Sequence, residues 1–439
     1  MKQDLTQGNI AKSLIFFTVP LILSGLLQQI FNWVDAFIVG NINGELALAG
    51  IGATTSIYNL FVTVIVGFTS GISVLAAQQY GRGEKETLKD ILSSFTLLLG
   101  GIFLTLSILG ILFASPILTL LDTPANIFSI GKEYLQILLA GIPFLAVYNT
   151  YSALLRGLGD SRAPFLSVLV CSVINVILDL YFVAVLDWGA GGAAAATALS
   201  QAAMTLFVVV YAVRKYPVLR FRPGRNLFHK AIAAKGLAFS LPPAVQSGTV
   251  SVGNLVLQRF MNSFGEQTVA AVTTAYRVDS VILLPIINFG SGIATVVAQN
   301  IGAGNPDRAK KALKTGSLLM FAVSVCLTAF VLFAGGPLIT MFGLTAESVD
   351  IGVSFFRTIA SCYAVYGLAM AFRGYLEGRG DMLFSGIAGI AALFVRIGAS
   401  YAFAAPFGNM VIGYAEAFSW VVLFLIYLIR CLRKSKAPI

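Results

Sequence analysis

Among the charged side chains within the long apolar runs of this 439-residue chain, seven stand out: Asp35, Asp179, Asp279, Glu416, Arg259, Arg277 and Arg396. A charge at the centre of a membrane-crossing helix costs about 2.5–3.5 kcal/mol on insertion scales, so such residues are candidates for function by default. Asp279 with Arg277, and Glu416 with Arg396, are spaced so that each acid can be neutralised by a base nearby; Asp279, Glu416 and Arg396 are therefore secondary candidates. Asp35 and Asp179 have no base within reach on their own helices, and their neighbours are polar instead. Gln28 lies seven residues before Asp35 and Asn175 four before Asp179, spacings that return to the same helical face. Thr197, from a third run, can join them. Amide and hydroxyl oxygens around two carboxylates make either a proton-accepting pocket or a site for a hard cation such as Na+ at Asp35, Asn175, Asp179 and Thr197. The bland reading is a hydrogen-bonded network that only locks helices together.

The elements that must position these groups follow from composition. The chain is 57% hydrophobic and 11% charged, less than half the charged share of a soluble domain, which rules out a water-soluble enzyme. Apolar runs long enough to span occur at 12–40, 46–77, 90–114, 128–156, 163–186 and 189–214, then at 236–264, 267–299, 311–334, 350–376, 383–405 and 408–430. That predicts an all-α polytopic membrane protein of twelve helices. Pro20 lies inside the first run, Pro242 and Pro243 inside the seventh and Pro285 inside the eighth, each predicting a bend. The four cysteines are widely separated in apolar runs and read as small core hydrophobes rather than a disulfide or metal framework. A single histidine, His229, cannot build a metal site or a triad alone.

The 29 Lys and Arg against 19 Asp and Glu leave a net charge of +10, but the bases fall in short clusters between alternate runs. That placement speaks for cytoplasmic loops rather than nucleic acid, and puts both termini and the 215–235 loop in the cytoplasm of a cell with this chain in its plasma or inner membrane. The halves also repeat. Residues 70–83, SGISVLAAQQYGRG, align with 291–304, SGIATVVAQNIGAG, at a shift of 221, and Gly157, Gly159, Asp160 and Gly192 fall on Gly378, Gly380, Asp381 and Gly413 at the same shift. Six spans per repeat give both the same orientation, hence two parallel six-helix lobes around a central cleft. The predicted division is an N-terminal lobe 1–214, a linker 215–235 and a C-terminal lobe 236–439. The glycines of the repeated loops read as a helix C-cap and turn, not a phosphate cradle.

With Pro20 fifteen residues before Asp35, RGLGD at 156–160, NVILD at 175–179, Thr197 and AQNIGAGN at 298–305, essentially the whole chain resembles the multidrug and toxic compound extrusion (MATE) transporters, most closely the branch with a carboxylate pair in its N-terminal lobe. The resemblance implies two six-helix lobes around a V-shaped cleft, export driven by H+ or Na+, and a coupling site at Gln28, Asp35, Asn175, Asp179 and Thr197. It implies no cofactor beyond the coupling ion. Coupling through acids of the C-terminal lobe is not expected, since the seventh run has no acid and the tenth none between Asp350 at its very start and Glu377. The function expected is secondary-active antiport of amphipathic, often cationic compounds by alternating access, from a monomer in the lipid bilayer, with Pro20 and Pro242 as helix bends. The main alternative is a flippase for a lipid-linked saccharide, which calls for a cleft lined by Arg and Lys. A membrane-embedded enzyme or a channel fits less well.

Overall fold

The computed structural model describes residues 4–220 and 228–434. The middle of the 215–235 linker, residues 221–227, lies outside the described residues. Every regular element among the described residues is helical, as required where no water satisfies backbone N–H and C=O groups. In chain order the α-helices are α1 Ile10–Gly81, α2 Lys85–Leu112, α3 Ala114–Leu120, α4 Ala125–Gly157, α5 Arg162–Asp179, α6 Gly189–Lys215, α7 Lys230–Asn262, α8 Glu266–Ile282, α9 Leu284–Gly302, α10 Pro306–Thr340, α11 Ala346–Ser361, α12 Tyr363–Gly378, α13 Met382–Ala402, α14 Ala404–Phe407 and α15 Val411–Lys434. Large apolar side chains such as Phe333, Leu120 and Met341 are more than four-fifths exposed, as lipid-facing residues are.

Among the described residues nine helices are individually long and apolar enough to cross a bilayer, and α11 with α12, bent by 46°, makes a tenth. α1 counts twice. Its 72 residues would stretch about 108 Å at 1.5 Å per residue, and the chain leaves helical geometry inside it at Gly44, φ 80° and ψ −173°, a conformation that L side chains resist. α7, with 33 residues, is long enough to span but less apolar and is not among these helices. Pro285 behaves as expected: the predicted 267–299 run breaks at Leu283, and Pro285 sits in the first turn of α9, where its missing N–H is harmless. α1 passes through Pro20, and α7 through Pro242 and Pro243, without a break. Of the cysteines Cys171 and Cys431 are buried, whereas Cys326 is exposed, a correction to the reading of all four as core.

Packing divides the described residues into two compact units. One consists of Leu23–Ser240; the other combines the residues up to Ile22 with those from Leu241 onward. The division therefore crosses the boundaries expected at 214 and 236, because the lead part of α1 packs with the second repeat and the lead part of α7 with the first. In the first unit α4 packs between α2 and α6, and α5 lies against α6; in the second α12 packs on α9, α10 and α15.

The matched aspartates of the repeats have matched jobs. Asp160 accepts hydrogen bonds from Lys215 Nζ at 2.8 Å and Tyr216 Oη at 2.8 Å. Burial by itself would push the Asp160 carboxyl up, but these donors hold it below the usual carboxylate range. Asp381 likewise pairs with Arg430 Nε at 2.9 Å. Each ties the loop before its repeat's fifth span to the end of the sixth.

Candidate functional site

Asp179 is the last residue of α5 proper; the helix continues as a π-helical turn over Leu180–Val185. Such local widening is frequent at functional sites. Asp179 and Asn175 are fully buried, and Asp35 and Thr197 nearly so. Asn175 Nδ2 donates to Thr197 Oγ1 at 3.4 Å, joining α5 to α6. Asp35 and Asp179 are direct electrostatic neighbours. Yet Asp35 Oδ1, Asn175 Oδ1 and both carboxyl oxygens of Asp179 are buried without a hydrogen-bond donor. Orphaned buried acceptors are expensive, and two facing carboxylates can bond each other only when one is protonated. Four buried acceptor oxygens on two helices, with the Thr197 hydroxyl bonded to Asn175 from a third, therefore have the chemistry of a site that takes up a proton or a hard cation.

Gln28, expected in the same group, is exposed and makes no hydrogen bond among the described residues. The seven-residue spacing does return to one face. However, Gln28 lies about 10 Å along the helix from Asp35, where that face is uncovered.

Three residues join the neighbourhood that the sequence reading missed. Tyr134 of α4 is buried and feels the charges of Asp35 and Asp179 and the hydroxyl of Tyr58. Tyr58 in turn accepts from Gln201 Nε2 at 2.5 Å, while Gln201 Oε1 has no donor. Gln201 was findable, four residues after Thr197 on the same face. Nothing in the sequence marks Tyr134 among 15 tyrosines.

The second unit holds a separate polar cluster. Arg396 donates to Glu416 Oε2 at 3.0 Å and to Tyr276 Oη at 2.5 Å, and Tyr276 donates to the same Glu416 oxygen at 2.7 Å. The Glu416–Arg396 pairing is thus present. Asp279 is different: its donor is the hydroxyl of Tyr363, and Arg277 is exposed. Residues two apart on a helix point to different sides, which is why Arg277 does not serve it.

The MatE family model matches residues 20–181 and 242–402, about three quarters of the chain and both repeats. The chain belongs to the MatE family. The probable multidrug resistance protein YpnP of Bacillus subtilis (strain 168) is 28% identical over 380 residues, covering 87% of this chain and 85% of the relative. YoeA of the same organism, also a probable multidrug resistance protein, is 28% identical over 440 residues, covering 97% and 94%. A MATE family transporter of the MOP superfamily, solved in an outward-facing conformation, superimposes with a TM-score of 0.90 at 22% identity over 99% of each chain. The molecule is thus a multi-pass MATE membrane transporter, related to multidrug efflux proteins.

Two features of this MATE transporter separate its clusters chemically. In the first unit Asp35 and Asp179 form no ion pair among the described residues and keep buried acceptor oxygens without a donor. In the second, one acid is neutralised by Arg396 and the other holds a tyrosine hydroxyl. Among the described residues no group of three or more His, Cys, Asp or Glu is placed to hold a metal ion. Any Na+ at the first cluster would rely on Asn175 and Thr197 to complete its shell.

Proposed function

We propose that this MATE transporter is a secondary-active exporter that couples inward movement of H+ or Na+ at Asp35 and Asp179 to outward movement of amphipathic, often cationic compounds. The observation that carries the reading is the buried carboxylate pair, three of whose four oxygens have no donor. Ion binding supplies what those oxygens lack. An empty pair carries an uncompensated negative charge, and a loaded pair is closer to neutral, so the local arrangement of α1 and α5 should differ between the two states. Alternating access then requires that each arrangement favour one side of the membrane. The names of YpnP and YoeA support multidrug substrates, and 12% aromatic residues suit flat or cationic organic molecules. The protein works as a monomer in the cell membrane.

The deciding experiment is export of one fluorescent organic cation from vesicles carrying an imposed pH gradient or an imposed Na+ gradient. Transport under neither would overturn the proposal; a response to one gradient names the ion. Two further outcomes are expected. A cysteine introduced by Pro217→Cys, in a background without other cysteines, should react with a membrane-impermeant reagent only after cells are opened, since the basic clusters place the linker in the cytoplasm. Labelling from outside would invert the topology. Pro20→Ala should leave expression and substrate binding near wild type but slow gradient-driven export several-fold, because it restores the helix hydrogen bond that the proline denies. Unchanged export rates would make Pro20 a packing residue.

A further inference from the structure

The repeated segments SGISVLAAQQYGRG and SGIATVVAQNIGAG do more than cap and turn a helix. A Cβ at Gly292 would run into Thr18 Oγ1, and one at Gly71, the same place in the other repeat, into the backbone of Phe239 and Ser240. Thr18 lies in the lead of α1 and Phe239 in the lead of α7. Each repeat therefore uses a side-chain-free position to seat the start of the helix that opens the other repeat. The seat on α9 carries a polar anchor as well. Leu5 N–H donates to Gln299 Oε1 at 3.3 Å, and Asn300 Nδ2 donates to the Leu5 carbonyl at 3.1 Å and to the Val296 carbonyl at 2.7 Å. Arg308 adds bonds to the carbonyls of Gln7 at 2.7 Å and Gly8 at 2.9 Å. Leu5, Gln299 and Asn300 have no solvent exposure. At the lead of α7 the corresponding tether runs from His229 N–H to Ser94 Oγ at 3.1 Å, with the imidazole 3.3 Å from Asp90.

We infer that Gln299 and Asn300 are positioning residues for transport, which strap residues 4–9 and the lead of α1 permanently into the unit built from the second repeat. The chain leaves that unit between Ile22 and Leu23, two residues beyond Pro20, and carries Asp35 in the other. A fixed lead confines any rearrangement of α1 to the stretch from Pro20 to Asp35. A loose lead lets the whole helix slide, and movement at Asp35 is then dissipated. Buried, directional hydrogen bonds to a backbone suit an anchor better than a latch, because breaking them leaves Leu5 N–H and Asn300 unsatisfied inside the protein. The consequence for export rests on the coupling role proposed for Asp35; the anchor itself does not.

The test uses the full-length transporter in vesicles. Gln299→Met removes the acceptor for Leu5 and Gln299→Glu keeps it, while Asn300→Ala removes the donor. Anchoring is read from the labelling rate of a cysteine at Gln7→Cys, in a background without other cysteines, and should rise about five-fold for each hydrogen bond lost. Maximal export should fall several-fold in Gln299→Met and Asn300→Ala with KM unchanged, and Gln299→Glu should stay near wild type. Joining Gln7→Cys to Arg308→Cys with a short bismaleimide, which stands in for the Arg308 bonds it removes, should restore the rate of Asn300→Ala and keep the protein active when Gln299 and Asn300 are intact. Three results overturn the inference: unchanged labelling in both anchor variants, faster labelling with unchanged export, or arrest of the cross-linked protein. If Asn300→Ala does not fold, the two Gln299 variants decide. Slowed export in Asn300→Ala beside normal export in Asp35→Asn would sink the coupling reading and leave the anchor standing.

Discussion

Asp35→Asn and Asp179→Asn are each expected to abolish gradient-driven export while preserving expression and substrate binding. An amide has nearly the shape of a carboxyl but cannot take up a proton and binds a hard cation poorly, so the substitution removes the ionic event and little else. It also supplies an N–H donor to oxygens that now have none, which should make either variant at least as stable as the parent. Retained stability with lost transport is the signature of a coupling residue; lost stability with lost transport would point to a structural one. The drive removed is substantial. One positive charge moving inward across 100 mV releases about 2.3 kcal/mol, nearly fifty-fold in a concentration ratio. The measurement is uptake of a fluorescent cation into inverted vesicles under each gradient, beside equilibrium binding of the same compound in detergent. If both single variants transport at the wild-type rate under either gradient, coupling resides elsewhere and Asp279 and Glu416 become the candidates.

Arg396→Ala is expected to have the largest effect on stability. The guanidinium is the only base bonded to Glu416 among the described residues, and it also holds the Tyr276 hydroxyl. Removing one partner of a buried ion pair leaves an uncompensated charge and typically costs 3–5 kcal/mol, roughly, whereas replacing both partners is far milder. Thermal unfolding in detergent should therefore show a large loss for Arg396→Ala and recovery of most of it in Arg396→Met with Glu416→Gln. The same double variant separates structure from function. Normal export from it makes the second cluster a helix lock; stable protein with impaired export gives that cluster a part in transport. Equal stability of Arg396→Ala and wild type would mean that the pair does not hold the fold together.

The sequence by itself determined the membrane class, the all-helical fold and the repeat, because hydrocarbon leaves the backbone no alternative to helices and a 221-residue shift is visible in the letters. It also singled out Asp35, Asp179, Asn175 and Thr197, since an unpaired acid in an apolar run is costly wherever the helix ends up. What it could not supply was which faces meet. Helical spacing placed Gln28 with Asp35 and offered Arg277 to Asp279, but exposure depends on what packs at that height, and a hydroxyl from Tyr363, 84 residues away in the chain, is invisible to local spacing. Tyr134 entered the carboxylate neighbourhood for the same reason. The clearest case is the lead of α1, whose docking on Gln299 and Asn300 bridges nearly 300 residues. Sequence order assigns residues 4–22 to the first repeat; packing assigns them to the second. Only the tertiary structure decides this, because burial rewards whichever surface fits, regardless of how far along the chain that surface was made.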